Sequence, residues 1–225
     1  MKVNLKLPTL ETITIGQFQE ISKHYELNGE SYSADQYMVS VIYGMPLKDV
    51  RAIQKSVLDK IIDEVKKVLA QEPELVTRFT IGETEYGFVP NLQELSAGEY
   101  ADIETYLGSV DDFNKAMAVM YRPIKEEWKT KYTIQPYNGT GERANTMRNA
   151  PLSTFRSAMV FFWNLEKELL NALMDFTVRE TEKLATFHRK DSTQKSGGGI
   201  LPSTELLEEY SRILTEQRSQ MFSRS

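Results

Sequence analysis

The sequence predicts a mainly α-helical protein: a multi-helix domain with one β-hairpin, one long helix and a tethered C-terminal helix. Three observations support this prediction. Capping signals recur ahead of apolar residues at helical spacing, strand-like alternation is convincing only between Val76 and Pro90, and three glycines at 197–199 precede a last amphipathic segment. At 225 residues the chain can hold one substantial domain and an appendage.

The N-terminal region predicts a short strand followed by several distinct helices. Residues 3–8 alternate apolar and polar side chains, and we expect them to add a third strand at the edge of the hairpin. A capping box pairs a hydroxyl with the residue three positions later, so that both satisfy free amides at a helix start. That spacing occurs at Thr14 and Gln17, at Ser33 and Gln36, and at Ser96 and Glu99. The three boxes predict three helices, the second ending at Gly44, which suits a left-handed cap.

Residues 56–90 predict one core-facing helix and then the hairpin. Ser56 precedes a run whose apolar residues share one face, with charges opposite; they are Val57, Leu58, Ile61, Ile62, Val65, Val68 and Leu69. From Val76 to Pro90, β-branched and aromatic residues flank the turn sequence IGET, which predicts a hairpin. A lone hairpin is marginal in water, so we expect it to pack on the helices.

The chain after the hairpin returns to helical spacing. One predicted helix is capped by Asp111 and ended by Pro123. Residues 133–150 combine turn residues with arginines and predict an exposed loop. From Leu152 to Lys190 no glycine or proline interrupts the apolar periodicity, so the sequence predicts a helix roughly 55 Å long at 1.5 Å per residue.

The C-terminal region predicts a flexible tether and a partner-binding helix. The predicted organisation is a helical domain over 1–190, a glycine-rich linker over 191–202 and an amphipathic helix over 203–222. The apolar face of that helix needs a partner, either its own core, a sister subunit or a client protein. This face consists of Leu206, Leu207, Tyr210, Ile213 and Leu214.

Composition and charge argue against several classes of partner. Lys and Arg number 27 against 32 Asp and Glu, scattered without a basic stripe, so neither nucleic acid nor an anionic membrane is expected as the main partner. The absence of cysteine excludes a disulfide framework and a thiolate site. The N-terminus lacks the apolar run of a signal peptide, and no stretch approaches the ~18 apolar residues of a membrane span. We therefore expect an intracellular protein in a reducing cytoplasm.

No set of residues predicts catalysis, a metal or a cofactor. His24 and His188 fall on different predicted helices without acids at metal-ligand spacing. Asp102, Glu104 and Asp111 could form a carboxylate site, but acids at helix starts ordinarily stabilise the helix dipole. The sequence therefore predicts no catalytic residue, no metal ligand and no cofactor.

Arginines in and after the predicted loop form one further candidate site. Arg143, Arg148 and Arg156 could together bind an anion. The alternative is that all three are solvated side chains of a loop and a helix start. The sequence leaves both interpretations open.

Three stretches resemble proteins from the structural gene modules of tailed bacteriophages. They are FVPNLQELSAGEYADIETYL from Phe88, FNKAMAVMYRPIK from Phe113 and SAMVFFWNLEKELLNAL from Ser157. With the N-terminal LKLPTLETITIGQFQEI and the glycine-rich tail, the resemblance covers nearly the whole chain. The role that it implies is that of a tail assembly chaperone, a small helical protein that coats the hydrophobic tape-measure protein while tail-tube subunits polymerise around it.

The residues and the resemblance together predict a non-enzymatic protein that binds a tape-measure or other tail protein through apolar helical surfaces. We expect it to form homo-oligomers in the cytoplasm of the infected bacterial host. A second hypothesis is a permanent virion component, such as a neck, connector or baseplate-associated subunit. A third is a carboxylate-dependent enzyme, for which the sequence shows no convergent set of acids.

Overall fold

The computed structural model describes residues 6–129, 131–190 and 212, and these residues form a mainly helical protein with one antiparallel sheet. The elements in chain order are α1 Ile15–Asn28, α2 Tyr32–Tyr43, α3 Leu47–Arg51, α4 Lys55–Leu69, β1 Arg78–Ile81, β2 Thr84–Phe88, α5 Ala97–Leu107, α6 Phe113–Met120, β3 Tyr121–Trp128, β4 Lys131–Ile134, α7 Gly141–Met147 and α8 Leu152–Lys190. Short 3₁₀ turns at Leu92–Glu94 and Val110–Asp112 flank α5. The predicted helical class is confirmed.

Two of the predicted capping boxes are present as expected. At α1, Gln17 N donates to Thr14 Oγ1 at 3.2 Å and Thr14 N donates to Gln17 Oε1 at 2.9 Å. At α5, Ser96 and Glu99 make the same reciprocal pair. Gly44 ends α2 in the left-handed conformation, as predicted.

Three other predicted helix starts are wrong. Ser31, not Ser33, caps α2, because its hydroxyl accepts from Ala34 N at 3.2 Å. Helix α4 begins at Lys55 after Gln54, without a side-chain cap from Ser56. Asp112, not Asp111, precedes α6, and its side chain makes no cap bond. In each case the residue that precedes the helix lies one or two positions away from the predicted cap. Residue type therefore locates a helix start only within a residue or two.

The sheet has four antiparallel strands in the order β1-β2-β3-β4. Strands β1 and β2 are the predicted hairpin, with Arg78 opposite Gly87 and Ile81 opposite Thr84. The prediction of only one hairpin is wrong, since β3 and β4 form a second one. The predicted N-terminal strand is also wrong where the structure describes it, because residues 6–8 join no strand.

Strand β3 replaces the end of a predicted helix. Helix α6 stops at Met120, and the next residue, Tyr121, pairs with Phe88 of β2. Its ring is fully buried and its hydroxyl donates to Val76 O at 2.6 Å. Burial of this aromatic side chain between strands outweighs local helical preference. The predicted loop over 133–150 is likewise wrong, since it contains the end of β4 and all of α7.

The chain divides into two compact units after Ala158, inside α8. In the first unit, the segment before α1 pairs with the start of α8: Leu152 N donates to Ile13 O at 2.7 Å and Ile15 N to Ala150 O at 3.0 Å. Phe113 stacks on Phe155 with ring centroids 4.3 Å apart. These contacts join the N-terminal segment, α6 and α8 in one core.

The described part of the second unit is the remainder of α8, from Met159. Phe161 and Phe162 meet edge to face at 5.6 Å. Phe176 is 61% exposed. None of the described helices is both long enough and apolar enough to span a bilayer. The predicted linker at 191–202 and the predicted helix at 203–222 lie outside the described residues, Arg212 excepted.

Candidate functional site

A concavity of about 350 Å³ opens at one end of the sheet in the first unit. We call it the basic concavity, and it is lined by Lys125, Gln135, Pro136, Asn138 and Arg143. Two of these side chains carry a positive charge and two are amides. These four side chains can therefore bind a negatively charged or polar group.

Lys125 enters the basic concavity from an irregularity in β3. Ile124 lies opposite Ile134 and Glu126 lies opposite Thr133, so Lys125 is an extra residue without a partner on β4. This arrangement is a β-bulge, which bends the strand and redirects the side chain of the extra residue. Beyond the bulge, Gln135 N donates to Pro123 O at 2.9 Å and holds the chain after β4 against β3.

Arg143 is held by the turn that precedes α7. Its Nη2 donates to Asn138 Oδ1 at 2.8 Å and to Gly139 O at 2.5 Å. Gly139 and Gly141 both have positive φ, 87° and 41°, which side chains other than glycine rarely adopt. The glycines thus let the chain curl around the guanidinium and fix its position.

A buried ion pair lies close to Arg143. Arg122 of β3 and Glu99 of α5 approach to 2.8 Å, and each side chain is less than 10% exposed. Burial lowers the pKa of Arg122, the charge of Glu99 opposes this shift, and the charge of Arg143 adds to it. Arg143 is therefore close enough to Arg122 for the two charges to interact.

Glu99 remains ionised although it is buried. Burial raises its pKa, but hydrogen bonds from Ser96 and the charge of Arg122 outweigh burial and leave the pKa below its usual value. One Glu99 oxygen accepts from Ser96 and the other from Arg122. The same carboxylate therefore caps α5 and neutralises a cation of β3.

Tyr137 lies between this ion pair and the basic concavity. The Arg122 guanidinium lies 5.9 Å from the centre of its ring, and its hydroxyl donates to the carboxylate of Asp102. Burial is the main cause of its raised pKa, and the bond to Asp102 adds to the shift. Both acids that α5 presents here, Glu99 and Asp102, thus have partners within the first unit.

The structure places the three predicted arginines in different surroundings. Arg143 lines the basic concavity. Arg148 is exposed beside α1, where its carbonyl accepts from Gly16 N at 2.8 Å. Arg156 is only 3% exposed, with its guanidinium 5.6 Å from the Phe18 ring, and burial lowers its pKa to about 10. Arg156 therefore lies in the core and does not line the basic concavity with Arg143.

The other predicted candidates have separate contacts. Asp102 binds Tyr137, Glu104 is exposed, and Asp111 pairs with Lys23 at 3.3 Å. The ring of His24 stacks on Tyr37 at 3.9 Å. Within the described ranges, no three His, Asp or Glu side chains come together as a metal site.

The predicted partner-binding face lies beyond the part of the chain that the structure describes. This applies to Leu206, Leu207, Tyr210, Ile213 and Leu214. In α8, however, two apolar side chains are exposed: Phe176 by 61% and Val178 by 46%. Because they are two positions apart on a helix, they lie on different faces of it, about 200° apart around the axis.

Sequence reasoning missed Lys125, Gln135 and the pair of Arg122 with Glu99. A signal for the strands was present, since Trp128, Tyr132 and Ile134 are residue types favoured in strands. We interpreted Pro123 as the end of a helix and residues 133–150 as a loop, and this interpretation concealed the strand signal. The bulge and the ion pair join residues distant in sequence, so no local pattern reports them.

No protein-family model, no curated protein and no solved structure matches this chain.

Proposed function

We propose that this chain is a non-enzymatic tail assembly protein of a tailed bacteriophage. In this proposal it binds a tape-measure or other tail protein, as a chaperone does, in the cytoplasm of the infected host, and it acts as a homo-oligomer. The resemblance of the stretches beginning at Phe88, Phe113 and Ser157 supports the phage origin. The exposed apolar side chains of Phe176 and Val178 on α8 support action through contacts between chains.

These two exposed side chains are the observation on which the proposal mainly rests. Phe176 and Val178 lie on an uninterrupted 39-residue helix. The side chain of Phe176 is 61% exposed to water and that of Val178 is 46% exposed. Burying a Phe or Val side chain fully stabilises a complex by about 1.5–3 kcal/mol. A helix that presents such residues is suited to receive an apolar helix of a partner.

Co-expression with the tape-measure protein of the same phage tests the proposal. The test variant is Phe176→Gln with Val178→Gln, which replaces both exposed apolar side chains by polar helix-forming ones. The matched control is Leu27→Gln with Val57→Gln, on α1 and α4 of the first unit, where exposure is 76% and 46%. We expect wild type and control to recover the tape-measure protein, and the α8 variant to recover at least about tenfold less.

Two results would count against the proposal. Failure of the wild-type chain to bind a soluble tape-measure protein would remove the chaperone role. Equal recovery with the α8 and control variants would show that these two side chains do not carry binding. Mass spectrometry of purified virions distinguishes the alternative role, because a neck, connector or baseplate subunit stays in the particle at a fixed copy number and a chaperone is lost.

A further inference from the structure

The basic concavity has the features of an anion site, and they do not depend on the proposed role in tail assembly. We propose that it binds an oxyanion, either a phosphate or a carboxylate group, between the Lys125 ammonium and the Arg143 guanidinium. The three arginines singled out in the sequence do not form this site. Only Arg143 is shared with it.

The first argument is charge. The lining contains two cations and no acid, and within the described residues neither Lys125 nor Arg143 forms an ion pair. The nearest acids of α5 are already engaged, Glu99 by Arg122 and Asp102 by Tyr137. Positive charge at this end of the sheet is therefore not compensated by a described neighbour, and an incoming anion would compensate it.

The second argument is preorganisation. A guanidinium has five N–H groups, and the two on Nη2 of Arg143 are committed to Asn138 and Gly139. These bonds orient the group and leave the N–H groups of Nε and Nη1 as separate single donors for a ligand. Lys125 is directed by a bulge that interrupts the β3–β4 ladder. The Arg143 guanidinium is thus placed before a ligand arrives, which lowers the entropic cost of binding, and the bulge turns Lys125 toward the same space.

The third argument concerns ligand chemistry. The free N–H groups of Arg143 can each donate one charge-assisted hydrogen bond to an oxygen of a phosphate or carboxylate, and lysine adds a point charge. Asn138 uses its amide oxygen to hold Arg143, so its amide nitrogen remains a donor. Gln135 supplies a second amide. A space of about 350 Å³ is large enough for one small charged group.

The test is an NMR titration of the ¹⁵N-labelled full chain with two probes, inorganic phosphate and succinate, at constant ionic strength. We expect saturable shifts at the backbone amides of Lys125, Gln135, Asn138 and Arg143 and at the Arg143 Nε signal. Arg143→Gln should weaken binding at least about tenfold and Lys125→Gln about threefold. Lys131→Gln removes an exposed lysine of β4 that does not line the concavity, so it should leave the affinity unchanged.

Lys125→Gln decides the question if Arg143→Gln disturbs the turn, because Lys125 is exposed and lies outside the strand ladder. The probe that binds more tightly identifies the preferred oxyanion. Absence of saturable shifts with both probes would overturn the inference. It would also be overturned if Lys125→Gln kept the wild-type spectrum and bound the probes with the same affinity as wild type. Neither result bears on the co-expression test of tail assembly.

Discussion

The two hairpins of the sheet differ in regularity. Strands β1 and β2 pair without interruption over four residue pairs, and their turn has Gly82 at φ 60°. Strands β3 and β4 are interrupted by the bulge at Lys125, and their turn places Lys129, a residue with a side chain, at φ 58°. The first hairpin follows the local rules of strand and turn, whereas the second departs from them twice.

The departures are informative because one of them shapes the basic concavity. A regular β3 would alternate its side chains strictly across the sheet, but the bulge changes the direction of Lys125 relative to its neighbours. Irregular backbone is retained in proteins mainly where it serves a site. The regular hairpin supports the sheet, and the irregular one carries the residues that we propose to bind an anion.

Removing the charge of Glu99 should have the largest effect on the irregular hairpin. Glu99→Gln leaves the buried Arg122 of β3 without its counter-charge, and Arg122 Nε already lacks a hydrogen-bond partner among the described residues. We expect a loss of about 3–5 kcal/mol in the free energy of unfolding, measured by urea denaturation at pH 7. Glu94→Gln, at an exposed position before α5, is the control and should change stability by less than about 0.5 kcal/mol.

The ion pair of Glu99 with Arg122 also predicts that the free energy of unfolding depends on pH. The pKa of Glu99 is lower in the folded protein than its ordinary value of 4.5, so its contribution is fully present above pH 4.5 and is lost as the pH falls through the folded pKa. The stability difference between wild type and Glu99→Gln should therefore shrink as the pH falls below 4.5. A difference that stays constant down to pH 3 would show that Glu99 is not preferentially ionised in the folded state.

The contact between the two hairpins should be the next most sensitive feature. A Cβ on Gly87 of β2 would come within 2.9 Å of Tyr132 Cδ2 and closer still to Cε2. The Tyr132 hydroxyl donates to Phe88 O at 2.7 Å, which restricts movement of the ring. We expect Gly87→Ala to lower the free energy of unfolding by about 1–3 kcal/mol. In a Tyr132→Ala background the same change should cost less than about 0.5 kcal/mol; an undiminished cost there would place the clash elsewhere.

The turns should show the smallest effects, with opposite signs. Gly82→Ala forces a side chain into the left-handed region and should destabilise the protein by about 1 kcal/mol. Lys129→Gly relieves the corresponding strain in the other turn and should stabilise it by up to about 1 kcal/mol. Urea denaturation of both variants checks this. Destabilisation by both would mean that the Lys129 side chain makes contacts that outweigh its backbone strain.

The amino-acid sequence by itself determined the features that depend on neighbours a few residues apart. The capping boxes at Thr14 and Ser96, the left-handed cap at Gly44, the β1–β2 hairpin and the full extent of α8 were all predictable. Each is stabilised within a single turn, a single hairpin or a repeating helical ladder. Local spacing therefore carries enough information to predict them.

Tertiary structure alone decided the features that join distant segments. The end of α6 at Met120, the ion pair of Arg122 with Glu99, the bulge at Lys125 and the burial of Arg156 are of this kind. Arg122 and Glu99 are brought together because α5 packs against α6, which leads directly into β3. In the sequence, Glu99 shows only its capping role. Burial and long-range pairing depend on which surfaces meet after folding, and a periodic pattern in one segment does not contain that information.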